Sequence, residues 1–108
     1  MAKIETHCKD CLQVFGKEYR EIHEWLDEYA KQYNPMLYFE LHRKFRHHDD
    51  GVKQVEVEFG YYAAQAAKLH IIRDNELYVN FDINTLREDD IEDLYQRALE
   101  FCHDNIYN

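Results

Sequence analysis

The chain has 108 residues, of which 45% are hydrophobic and 32% charged, the balance of one globular domain spanning 1–108 rather than a disordered segment. Thirteen Lys and Arg against 22 Asp and Glu give a net charge of −9, which argues against binding nucleic acid or an anionic membrane, both of which need a basic footprint. With no Ser in the sequence, serine-nucleophile chemistry is excluded, and no apolar run is long enough to span a bilayer.

The N-terminus turns polar within a few residues and carries no apolar signal region. Together with an odd number of Cys, three in all, this points to a reducing, cytoplasmic setting rather than a disulfide framework.

The elements follow in chain order. Residues 4–15 read as a helix, with Ile4, Cys8, Cys11, Leu12 and Phe15 at helical spacing and Gly16 suited to end it. A second helix over 18–33 carries Tyr19, Ile22, Leu26, Tyr29, Ala30 and Tyr33, and Asn34-Pro35 stops it. A third begins near Met36, where Leu37, Leu41, Phe45, His48, Val52 and Val55 share one face. Its end, Val55 to Phe59, also alternates like a strand, but the helical period enters from upstream. A fourth helix over 61–73 presents Ala63, Ala66 and Ala67 as a small-residue face that admits a close neighbour. Leu77, Val79 and Phe81 alternate with polar or aromatic residues as one short extended or β segment near 77–81, whose partner would have to come from elsewhere, for instance across a homo-oligomer. The last helix, 86–104, opens on the capping-box pattern Thr85-Leu86-Arg87-Glu88 and buries Ile91, Leu94, Tyr95, Ala98, Phe101 and Cys102. The expected fold is all-α, about five helices in a compact bundle.

Histidine carries the chemical signal. Six of the seven His fall between positions 7 and 70. His7 flanks the stripe of the first helix, His23 lies inside that of the second, His48 centres the third, and His70 lies on the alanine face of the fourth. Asp27 and Asp74 follow His23 and His70 at i+4. Burying imidazoles without partners is costly, and several meeting in one space repel when protonated. A divalent transition metal, Zn, Fe or Mn, removes both costs by taking neutral nitrogens and carboxylate oxygens. The expected ligands are therefore His7, His23, Asp27, His48, His70 and Asp74, with either Asp acting as ligand or as the acceptor that orients an imidazole. His42 and His47 project about 100–120° from His48 on a straight helix, so the three cannot share one ion.

Bound water activated by such an ion would hydrolyse a phosphoester or similar bond in an unknown small-molecule substrate, with His42 or Asp49 moving protons. A competing metal arrangement joins His7, Cys8 and Cys11 to Cys102-His103, although both early Cys also fit as small core residues. A competing function is a non-catalytic interaction or self-association module in which the histidines are structural. The basic island Arg43/Lys44/Arg46 is a solvated helix face, or a hold for an anionic substrate.

One resemblance follows from longer strings. His7-Cys8-Lys9-Asp10, Phe15-Gly16, the segment YREIHEWLD from Tyr19 to Asp27, LHRKFRHHDDGV from Leu41 to Val52, and Phe59-Gly60 together resemble a family of small, His-rich, uncharacterised bacterial and phage proteins. The resemblance covers about residues 6–60 and implies that His7, His23, Trp25, Asp27, His42, His47, His48 and Gly51 are shared family positions. Leu41 stands where that pattern has Arg, and Cys11 stands near its early Ser. The order His23, His48-Asp49, Asp74 also resembles that of His-Asp-type metal-dependent phosphohydrolases, which implies an all-α hydrolase.

Overall fold

A computed structural model describes residues 3–27 and 49–102, with side chains to Glu100. Its helices are α1 (Ile4–Phe15), α2 (Arg20–Leu26), α3 (Asp49–Phe59), α4 (Tyr61–Asp74) and α5 (Glu88–Cys102). The fold is all-α, as the periodicities require.

Helix α4 is the axis of the structure and packs against each of the other four. Its sequence explains why. Ala63, Ala64, Ala66 and Ala67 are all buried, as are Leu69, His70, Ile71 and Ile72, so apolar or small residues surround the helix and neighbours approach from several sides. The main core joins Ile22 and Leu26 of α2, Val52 and Val55 of α3, Ile71 and Ile72 of α4, and Ile91, Tyr95 and Ala98 of α5. The stretch at Val55 to Phe59 is helix: Val55 is buried while Val57 is 86% exposed, which a strand with one buried face would not allow.

Two connections depend on unusual backbone. Gly16 ends α1 in the left-handed region (φ 77) and donates its N–H to Leu12 O at 3.0 Å. Gly60 alone links α3 to α4 at φ 99, ψ 176, a conformation essentially confined to glycine. Tyr19, which precedes α2, also lies in the left-handed region (φ 54). Its ring meets Phe15 edge-on at 6.1 Å, and its carbonyl accepts Ile22 N–H at 3.0 Å and His23 N–H at 3.3 Å.

Three expectations change. The extended segment near 77–81 is not a strand: Asn75 turns the chain, its carbonyl accepting Tyr78 and Val79 N–H at 2.9 Å and its side chain donating to Ile71 O at 2.8 Å. Without a pairing strand among the described residues the alternation has nothing to register against, and Leu77 points to solvent while Val79 is buried. The cap of α5 is displaced from Thr85. Arg87 N–H donates to Asp90 at 3.1 Å, while the Thr85 hydroxyl donates to Asp82 O at 3.3 Å in the preceding turn. On α1 the buried face is His7, Cys8, Asp10 and Cys11, and Leu12 is half-exposed; the helix is rotated so that its polar residues meet α4. The early part of the third expected helix, the end of the second beyond Asp27, and residue 103 onward lie outside the described residues.

Candidate metal centre

Helical register assembles the site. His7 and Asp10 lie three residues apart on one face of α1, and His70, Arg73 and Asp74 share one face of α4. Where the two faces meet, Arg73 grips Asp10 through Nε–Oδ2 at 2.7 Å and Nη2–Oδ1 at 2.8 Å. This bidentate pair fixes α1 on α4 and lays the His7 ring on that of His70, with centroids 3.5 Å apart and planes 15° from parallel. Helix α2 adds His23, whose ring is nearly parallel to that of His70 (18°) at 5.2 Å, and Asp27 at its end.

The donor atoms form two overlapping groups that share His70. Those of His7, His23 and His70 all lie within 4.8 Å of one another, and so do those of Asp27, His70 and Asp74. His70 Nε2 is 3.2 Å from Asp27 Oδ1 and 3.3 Å from Asp74 Oδ2. His7 Nε2 is 3.2 Å from Asp74 Oδ1. His23 Nδ1 is 2.9 Å from His70 Nδ1, and His23 Nε2 is 3.0 Å from the Glu18 carbonyl oxygen. All three rings are buried, and the Asp74 side chain is 5% exposed.

These contacts dictate protonation. A carbonyl only accepts, so His23 donates from Nε2 and, when neutral, has a lone pair at Nδ1. His70 therefore donates from Nδ1 to His23. His70 Nε2 faces two carboxylates and donates there as well, so His70 is an imidazolium. Burial disfavours its charge, but Asp74 and Asp27 outweigh burial and raise its pKa to about 9. Burial, then the neighbouring His70 and His7, lowers His23 to about 3. Burial and His70 lower His7 against the pull of Asp74.

His7 is the unsatisfied member. Among the described residues neither of its ring nitrogens has an aligned hydrogen-bond partner, although Nε2 lies close to Asp74. A fully buried imidazole left so costs roughly 1–3 kcal/mol. A cation bound to its lone pair removes part of that cost. The group can hold a metal ion.

Of the residues expected from sequence, His7, His23, Asp27, His70 and Asp74 come together. The i+4 spacing suggested His23 with Asp27, yet both nitrogens of His23 are taken elsewhere, and Asp27 reaches across to His70. His42 and His48 lie outside the described residues, as do His47 and the Arg43/Lys44/Arg46 island. Asp49 has partners on α3 and α5 instead: Tyr95 donates to it at 3.1 Å and Lys53 pairs with it at 3.1 Å. Burial opposes its charge, but these two hydrogen bonds hold its carboxyl below the usual range.

Cys8 and Cys11 are buried, and Cys11 packs with Ala66 and Leu69. Burial pushes both thiols up, and both residues serve as small members of the core. The Cys102 side chain and His103 lie outside the described residues. The Glu18 carbonyl and the Asp10–Arg73 clamp have no counterpart among the residues expected from sequence: the first is a backbone atom and carries no residue signal, and the second pairs residues on different helices, with Asp10 off the apolar stripe of α1.

No curated protein and no solved structure matches the chain. A family match runs over residues 2–87 and so takes in every side chain of the cluster. The chain belongs to the family described as Domain of unknown function (DUF6915).

Proposed function

We propose that the protein binds one divalent transition-metal ion among His7, His23, Asp27, His70 and Asp74, where the ion ties α1 and α2 to α4. The observation that carries this reading is His7, buried, without an aligned hydrogen bond, and facing Asp74 beside a second imidazole. Two largely buried carboxylates, Asp27 and Asp74, balance the charge of one divalent ion when His70 is neutral. Imidazole and carboxylate donors suit Zn, Fe or Mn. The donors are almost wholly buried, Asp27 being the most open at 14%, which favours an ion that joins helices, since catalytic sites keep an open position. A hydrolytic role would place its water on the Asp27 side, the most open of the donors.

A second reading rests on the unbroken run of hydrogen bonds from Glu18 O through His23 and His70 to Asp27, flanked by the His70–Asp74 ion pair, which needs no metal ion. Here the cluster is structural and the protein is an interaction module. Elemental analysis of protein purified without a metal-affinity column separates the two. Close to one Zn, Fe or Mn per chain, lost in His7→Ala and His70→Ala, is the expected result. Protein that is metal-free, folded and indifferent to a chelator would support the module instead.

A further inference from the structure

Which of the two overlapping donor groups takes the ion follows from their separations. A tetrahedral ion with bonds of about 2.0–2.1 Å to nitrogen or oxygen holds its ligand atoms about 3.3 Å apart. On the Nε2 side of His70, where Asp27, His70 and Asp74 form one donor group, the distances from His70 already have that value: 3.2 Å to Asp27 Oδ1 and 3.3 Å to Asp74 Oδ2. His7 Nε2, 3.2 Å from the other Asp74 oxygen, reaches the same ion once its ring turns from its stacked position on His70. On the Nδ1 side, His23 and His70 are 2.9 Å apart, a hydrogen-bond length; an ion between them would have to push the rings apart.

We infer that the ion is held by the second group, His70 Nε2, Asp27 and Asp74, joined by His7 Nε2 from the first, and that His23 is a positioning residue that never touches it. This assignment rests on the metal-binding reading above. With His70 Nε2 on the ion, its Nδ1–H still donates to His23 Nδ1, and His23 Nε2–H still donates to the Glu18 carbonyl. The run Glu18–His23–His70 thus has one proton for each hydrogen bond and fixes both the tautomer and the ring angle of His70. Metal-bound imidazoles are usually held in this way through their second nitrogen, here by another imidazole.

The test uses the full chain, zinc alone as probe, and imidazole 15N NMR, which reports each ring nitrogen separately. In the wild type, zinc should shift Nε2 of His7 and of His70 and leave Nδ1 of His23 unmetallated. His23→Asn, whose side-chain oxygen can accept from His70 in place of Nδ1, should keep one zinc per chain at near wild-type affinity. His23→Leu, which cannot, should keep the stoichiometry but bind roughly 10–100-fold more weakly. His7→Ala and Asp74→Asn should lose stoichiometric zinc. A metal-shifted His23 Nδ1, or loss of zinc in His23→Asn as complete as in His7→Ala, overturns the assignment while leaving metal binding intact. No zinc uptake by the wild type overturns both.

Discussion

At the scale of single residues, three neighbouring histidines are driven in opposite directions. His7 and His23 are held neutral, while His70, faced by His7, His23, Asp27 and Asp74, is held charged. The consequence for the metal-free protein is a stability maximum near the ordinary histidine pKa of about 6.5. Below it, the unfolded chain takes up protons on His7 and His23 that the native state refuses, so stability falls as pH drops from about 6.5 toward 3. Above it, the unfolded chain loses a proton that native His70 keeps, so the His70 contribution fades as pH rises through about 9. Urea midpoints with chelator at pH 4.5, 6.5 and 9.5 should be highest at 6.5; a midpoint still climbing at 9.5 would rule out a charged His70. The Asp10–Arg73 pair gives a second expectation. Arg73→Ala leaves the Asp10 carboxylate buried and alone, and equilibrium unfolding should show a loss of roughly 3 kcal/mol.

At the scale of elements, the helices follow from period and punctuation. The α4 stripe, the stop at Gly16 and the break at Gly60 could be read in the sequence because small residues and glycines act locally. Gly60 offers a clean check: an added Cβ meets no atom within 4 Å, so any cost of Gly60→Ala comes from φ 99 alone. Thermal unfolding should register roughly 1–3 kcal/mol. The 77–81 segment shows the limit of local reading. Alternation of Leu77, Val79 and Phe81 is a strand signal only when a partner strand exists, and Asn75 instead turns that stretch so that Val79 enters the core. The rotation of α1, which buries His7 and Asp10 and exposes Leu12, was hidden for a related reason: hydrophobic periodicity gives no credit to a polar face whose partner lies on another helix.

At the scale of the whole molecule, no described helix is long and apolar enough to cross a membrane, and the largest effect expected from the proposed metal binding is on stability. A ligand bound only by the native state stabilises it by about 2.7 kcal/mol at a free concentration a hundred times its Kd. For a chain of this length that is a fall in Tm of roughly 10 °C when chelator removes the metal, and calorimetry with and without chelator should show it. The sequence by itself determined the helical class, most of the core and the residue types of the site, since those depend on periodicity and chemistry within a few turns. Only the tertiary structure decided that Asp27 faces His70 rather than His23, that His23 turns to a backbone carbonyl, and that Asp49 belongs to another face, because packing between helices sets which donors meet, and spacing along one helix carries no information about the neighbour across from it.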